Sequence, residues 1–373
     1  LKGFAGIVML ILSAATPLYA ALPLPLNLST NTLAPPVRAW PVMPPLAEPK
    51  GLRPCCAFGY DLRADVFGLP VPVYQLNNVV EVNGLGWHQY NDSALAGLAN
   101  LTGLSRENNG IVYTTRGGFI DTAHVRDTAD MTLYIFTHLQ ARLGQGFTLQ
   151  PGAELAERRL VFRPFTPPTR PEARYLLATW LAAHLAFNMA EWHEIAQGYG
   201  FESVPGFSEA VSAFSPEDLY SNLLGARLAA ALILNGQAQN RSMYEAAMTA
   251  ALAQALRELG ARPARISRFQ FDMLDGRWWN SQRRVPEKYL VLRRNYQMGD
   301  SRVATPVPGE QTPPLRLTLP HAWQGYRFSS AGALQLWPGG DMAQLPPPQH
   351  YYTEQDFARL AAFASARDNP PVR

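Results

Sequence analysis

"GGFIDTAHVRDTADMTLYIFTHLQARLG", residues 117–144, is the stretch on which the fold turns. Upstream of it, from residue 55 to about 115, the pattern is short and strand-like. Turns are expected at Gly59, Gly68 and Gly84, and a strand at "GIVYTT", residues 110–115. The Gly117-Gly118 pair breaks that pattern, and from Phe119 the spacing is helical as far as Gly144. Downstream, a proline-rich loop "RPFTPPTRP" precedes a helix predicted from about Glu172 to Gln197. Another is predicted to start at Ser215, a good N-cap, with Pro216 in its first turn and Glu217 and Asp218 at its positive end. "SMYEAAMTAALAQALRELG" reads as a further helix. From Arg262 onward "RFQFDMLDGRWWN", "KYLVLRRNYQM" and "LRLTLP" read as strands, followed by one last short helix.

The sequence therefore predicts an α+β fold. A helical middle of about four helices is flanked by N-terminal and C-terminal strand-rich segments, in one compact domain over residues 55–360, with 361–373 as a loose tail. With 47% apolar and 16% charged residues, a chain of this length can bury a substantial core and is not of the charge-rich disordered class. Net charge is +3 with no basic run or basic stripe, which disfavours nucleic acid as a partner.

Lys2 followed by "GFAGIVMLILSAA" and "TPLYA" reads as a secretory signal peptide over residues 1–20. The apolar run is too short for a membrane span, so a periplasmic or secreted protein with no span in its mature form is expected. Residues 21–54, dense in proline, read as a tether or a strap over the domain. The only cysteines are Cys55 and Cys56, and sequence neighbours cannot adopt relaxed disulfide geometry, so a disulfide scaffold is excluded.

The chemistry concentrates in the helical middle. "EWHEIAQGYG", residues 191–200, is one residue short of the zinc-protease pattern His-Glu-x-x-His, because position 197 is Gln, a poor ligand beside imidazole. The helix around it still carries His184, Asn188, Glu191, His193, Glu194 and Gln197 away from its apolar arc. Between Arg174 and Arg227 there is no Lys or Arg, while Glu191, Glu194, Glu202, Glu209, Glu217 and Asp218 are all acidic. Carboxylates that converge and are buried need a cation, which a divalent metal or arginines from elsewhere would supply. Upstream, Asp121, His124 and Asp127 recur at three-residue spacing. Carboxylate and imidazole from facing helices are how helical metal sites are assembled, and the donor set suits Zn, Fe or Mn.

A rival arrangement pairs Arg116 and Arg126 with Glu191 and Glu194, and Glu217 and Asp218 are also accounted for by helix capping. A further alternative is a cysteine hydrolase using Cys56 and His124. His88, His138, His184, His321 and His350 read as structural. Trp278 and Trp279 near Arg283 and Arg284 read either as a sugar-stacking platform or, more simply, as strand core.

"RPCCAFGYDL", "GGFIDTAHVRDTAD", "WHEIAQGYG" and "SVPGFSEAVSAFSPEDLYSNLLG" together resemble a family of secreted bacterial proteins catalogued as domain of unknown function 4056. The resemblance covers most of the chain after the proline-rich segment. It implies secretion and a bacterial origin, and brings no activity with it. The residues themselves lead to a metal-dependent hydrolase acting on an envelope component or a small molecule. His124, His193, Asp121 and Glu191 are the expected metal ligands, and Glu194 or Glu191 the expected base. The alternative is a non-catalytic envelope or assembly protein whose acidic block is a salt-bridged core or docking face.

Overall fold

Strand gives way to helix at one residue, Asp121. The computed structural model describes residues 42–50, 53, 62–66, 69–76, 78–93, 105–203, 209–285, 288–339, 342 and 344–369. The proposed signal peptide and the Cys55-Cys56 pair therefore lie outside the described residues.

Strands β1 (Leu62–Val66) and β2 (Leu69–Leu76) form an antiparallel hairpin. A second hairpin joins β3 (Ile111–Thr114) to β4 (Gly118–Asp121), with Ile111 opposite Asp121 and Thr114 opposite Gly118. Helix α1 (Thr122–Gln140) follows directly. The helix expected from Phe119 thus begins three residues later, because Phe119 and Ile120 pair in the hairpin with Tyr113 and Val112. The Asp121 carboxylate then caps the helix. Its Oδ1 accepts from the Ala123 amide at 2.7 Å and the His124 amide at 3.3 Å, satisfying two of the first-turn donors.

Strands β5 (Phe147–Leu149) and β6 (Glu157–Phe162) come next, then α2 (Pro171–Gly198), which begins on Pro171 as its first-turn residue. At 28 residues α2 is about 42 Å long. Helix α3 (Asp218–Leu234) starts three residues after the Ser215 expected to cap it, since Ser215 instead turns its hydroxyl onto Glu217 Oε2 at 2.7 Å. Helix α4 (Arg241–Glu258) is capped by Asn240.

Helix α5 (Ala264–Leu274) corrects the strand expected over residues 268–274. Its buried residues, Ser267, Phe271 and Leu274, recur at helical spacing, whereas Phe269, which suggested alternation with Phe271, is 55% exposed. Strands β7 (Trp279–Val285), β8 (Lys288–Val291), β9 (Ser301–Val303), β10 (Arg316–Thr318), β11 (Ala322–Trp323) and β12 (Tyr326–Arg327) follow. The short helix α6 (Phe328–Ala331), β13 (Gly332–Trp337) and α7 (Glu354–Asp368) complete the described chain.

The fold is α+β, with helices in the middle and small antiparallel sheets at both ends. The largest sheet has three strands, in the order β13-β6-β5, and packs its buried face on α2. Helix α1 lies against both α2 and α3, and α2 against α3 and α7. Every residue of α3 is buried, so this helix is the centre of the molecule. Close packing there depends on Gly225, where an added Cβ would stand 2.1 Å from the Val125 carbonyl oxygen of α1. A separate aromatic core joins the β3–β4 hairpin to α5. Phe119 stacks on Phe271 with ring centroids 5.2 Å apart, and Trp278 and Trp279 close it. The two tryptophans are therefore core residues, not a sugar platform. No helix among the described residues is long and apolar enough to cross a membrane.

Residues 42–50 run along α1. The Leu46 amide donates to Thr137 Oγ1 at 3.1 Å, and the Leu46 carbonyl meets His138 Nε2 at 2.8 Å. Close by, Arg53 fills a buried polar network on the solvent side of α1. Its guanidinium reaches both oxygens of Glu107 at 2.7 and 3.0 Å and Asp130 Oδ2 at 2.9 Å. His88 lies between Asp130 Oδ1 at 2.9 Å and Glu107 Oε1 at 3.1 Å, and the Tyr244 hydroxyl donates to Asp130 Oδ1 at 2.9 Å. Burial alone would raise both carboxylates, but Arg53 and its neighbours hold Glu107 well below its usual range and lower Asp130. The same carboxylates raise His88 against its own burial.

The network sets a pH window. Its carboxylates contribute stability above roughly pH 4 that is lost as pH falls towards their lowered values, and His88 contributes below about pH 6.5. Arg53→Met should destabilise the protein by about 3–5 kcal/mol at pH 7, because it leaves buried carboxylates uncompensated. In denaturant titrations the gap between wild type and variant should shrink towards pH 4, where protonation substitutes for the lost guanidinium. Gly225→Ala should cost about 1–3 kcal/mol by forcing α1 and α3 apart, read as a lower Tm at every pH.

Candidate functional site

Three helix ends meet around His124. Asp121 arrives at the end of β4, with its amide fixed by a hydrogen bond from that N–H to Ser221 Oγ at 2.9 Å. Its Oδ1 is committed to capping α1, which leaves Oδ2 turned to His124 Nε2 at 3.7 Å. From the first turn of α3, Asp218 Oδ1 stands 3.5 Å from the same nitrogen. On the other side of the ring, His124 Nδ1 faces the Asn222 side-chain amide at 3.3 Å, and Asn222 Nδ2 donates to Thr128 Oγ1 at 2.8 Å. The imidazole is thus oriented from behind by Asn222 and presented in front to two carboxylates.

Two glutamates stand next to this group. Glu194, near the C-terminal end of α2, accepts from the Phe214 amide at 2.7 Å through Oε2, while its Oε1 is buried without a hydrogen-bond partner among the described residues. Glu217 accepts from Ser215 through Oε2, and its Oε1 is likewise buried and unpartnered. Asp121, Asp218, Glu194 and Glu217 are all buried, and only 8% of the His124 side chain is exposed.

The electrostatics follow from that burial. Desolvation raises Glu194 and pushes Glu217 up to about 8. Burial alone would lower His124, but Asp218, Asp121 and Glu194 together push it up to about 10. Four carboxylates and one imidazole carry more negative charge than a dry pocket holds without a cation or bound protons. The guanidinium whose charge acts on Glu194 and Glu191 is Arg302 of β9, which donates to the Gln297 carbonyl. Arg126, expected as a partner of those glutamates, points elsewhere. It donates to the Leu85 carbonyl at 2.8 Å and to Asn108 O at 3.2 Å.

Of the residues singled out in the sequence, the structure brings Asp121, His124 and Glu194 together and distributes the others. His193 meets Glu154 Oε2 at 3.3 Å through Nδ1 and the Gln197 amide at 2.8 Å through Nε2, and Gln197 reaches Glu209 Oε2 at 2.6 Å. The i, i+4 pair that would bind zinc in a His-Glu-x-x-His helix is here bridged by hydrogen bonds. Glu191 accepts from the Gly299 amide and is pushed up to about 7 by burial. Asp127 pairs with Arg53 at 2.5 Å. Asp218 and Glu217 were explained by capping, yet they are buried residues facing the site. A signal for Asp218 was present: Asp218, Ser221 and Asn222 share one face of a helix whose other polar residues are only Tyr220 and Arg227.

Asp121, His124 and Asp218 offer one donor atom each, all within 4.8 Å of one another. The fold and this centre define an α+β protein with a buried carboxylate–imidazole cluster between helix ends. Residues 43–308, more than two thirds of the chain and including the whole cluster, match the family described as "Protein of unknown function (DUF4056)". The chain belongs to that family. No curated protein and no solved structure matches it.

The two duties of Asp121 are separable. Asp121→Ala should remove the helix cap and cost about 1 kcal/mol or more, whereas Asp121→Asn keeps an accepting oxygen and should remain within a few tenths of wild type. Equal losses in both variants, by denaturant titration, would contradict the capping role.

Proposed function

We propose that this chain is an exported envelope protein that binds one divalent cation at Asp121, His124 and Asp218 and uses it for hydrolysis. The observation that carries the proposal is the donor spacing. In a tetrahedral shell with bonds of about 2.0–2.2 Å, neighbouring donors stand roughly 3.3–3.6 Å apart. The His124 nitrogen stands 3.5 and 3.7 Å from the two aspartate oxygens, close to the edge of such a shell. Two carboxylates and one imidazole suit Mn, Fe or Zn. Asn222 holds the ring from behind; for Nε2 to bind a cation, Nδ1 must carry the proton and the Asn222 amide must turn its oxygen to it.

A bound cation would polarise a water, and Glu194 would take its proton. Burial raises Glu194, which strengthens it as a base, and its Oε1 has no hydrogen bond to break among the described residues. Export rests on the apolar segment after Lys2, and an envelope component fits that address. One observation favours a non-catalytic reading. Burial keeps Glu194 and Glu217 prone to protonation, so the cluster could be neutralised by protons alone and serve as a rigid polar core.

Elemental analysis of protein purified without chelator, then reloaded with Mn or Zn, tests the choice. Wild type and Glu194→Gln should each hold about one equivalent more than Asp218→Asn or His124→Ala. Ester or phosphoester hydrolysis by the wild type should fall at least about 100-fold in Glu194→Gln. Unaltered metal content in Asp218→Asn would refute the centre, and retained metal with unaltered hydrolysis in Glu194→Gln would refute the role of the base.

A further inference from the structure

A second group of ligand-bearing residues lies elsewhere on α2. His184 is ten residues before Glu194, roughly 15 Å along the helix axis, and faces the C-terminal strands instead of α1. Its Nε2 meets Glu354 Oε2, at the start of α7, at 2.8 Å. That carboxylate also accepts from Asn188 Nδ2 at 2.5 Å. A carboxylate on Nε2 fixes the proton there and leaves the Nδ1 lone pair for another partner. Among the described residues Nδ1 is buried without a hydrogen bond within normal range, and it faces Asp300 Oδ2, likewise buried, at 3.5 Å. On the far side of the same carboxylate, Asp300 Oδ1 lies 3.1 Å from His321 Nε2.

We propose that His184, Asp300 and His321 form a second metal site, for a borderline transition ion such as Zn²⁺, with Glu354 as the outer partner that orients His184. Donor atoms of the three residues lie within 4.8 Å of one another, and the two imidazole rings are 6.0 Å apart at 74°. Two imidazoles and a carboxylate favour zinc, copper or nickel over magnesium or calcium. The carboxylate–histidine–metal relay from Glu354 through His184 is the arrangement that sets the tautomer in such sites. His321 is 77% exposed, so an ion enters from solvent and keeps an open position there.

The backbone at each ligand is held in place. The Leu319 amide donates to the Asp300 carbonyl at 2.9 Å, and the Phe328 amide to the His321 carbonyl at 2.9 Å. The ligands come from α2 and from the turns before β9 and β11, so the ion would clamp the C-terminal strands to the helical core. His184 and Asp300 lie within the matched residues 43–308, whereas His321 and Glu354 lie beyond them.

The test uses the full chain carrying Asp218→Asn, which removes the centre around His124, so failure of either site is seen separately. Chelator-stripped protein is titrated with Zn²⁺ by calorimetry and with Co²⁺ by visible absorption. One equivalent is expected, lost in the added variant His321→Ala, whose exposed side chain can be removed without unfolding the metal-free protein. Glu354→Gln should keep the equivalent and weaken it about 10-fold or more. Cu²⁺ bound to the Asp218→Asn protein should show two nitrogen couplings by electron paramagnetic resonance, a signal that should disappear in His321→Ala. No bound equivalent, or equal binding with and without His321, would overturn the proposal. Loss in His321→Ala with no effect of Glu354→Gln would reduce the site to casual binding at a surface histidine and equally overturn it.

Discussion

Taking four carboxylates out of water between three helices is the constraint to which the rest of the structure answers. Asp121, Asp218, Glu194 and Glu217 are buried because α1 and α3 approach so closely that only glycine fits at position 225, and because α2 seals the third side. Each carboxylate would cost several kcal/mol in such a place without compensation. The compensation is visible in part. Backbone amides, the Ser215 hydroxyl and the imidazole of His124 satisfy some of the oxygens, while one oxygen each of Glu194 and Glu217 goes without a hydrogen bond among the described residues. What remains to be neutralised is the reason to expect a cation.

The molecule handles buried acids differently in its two polar interiors. Around Arg53, the carboxylates of Glu107 and Asp130 are matched by a guanidinium and by His88, and their pKa values fall. Around His124 burial outweighs the matching charge. Arg302 acts on Glu194 from a distance, and burial prevails. The first interior behaves as a structural staple along α1, complete in itself. The second keeps Glu194 and Glu217 raised by burial at the point where three elements converge, and carboxylates shifted in this way gather at sites that bind something.

Much of this was legible in the sequence where a physical period or a missing charge carried the information. The helical middle announced itself through 3.6-residue spacing, and the absence of Lys and Arg between Arg174 and Arg227 marked the acidic interior. Asp121 and His124 were readable as a pair because residues three positions apart on one helix are neighbours, although Asp121 proves to be the cap of that helix and not a residue within it. Other parts were hidden for equally physical reasons. Phe269 and Phe271 imitate strand alternation on what is a helix with one apolar face. Asp218 satisfies the rules for a first-turn acid so well that its burial could not be inferred from α3 alone. The partner of His193 is Glu154, 39 positions away, and the grouping of His184 with Asp300 and His321 joins segments over 100 residues apart. No local spacing encodes such meetings, which are set by how whole elements pack.

The account stands or falls on whether a cation sits among Asp121, His124 and Asp218. The most direct measurement is crystallographic: crystals grown with Mn²⁺, with diffraction recorded on both sides of the manganese absorption edge. The account predicts one anomalous peak within bonding distance of the three donor atoms and beside Glu194. Full refinement of that pocket with ordered waters or an arginine side chain, and no anomalous signal there, would contradict it.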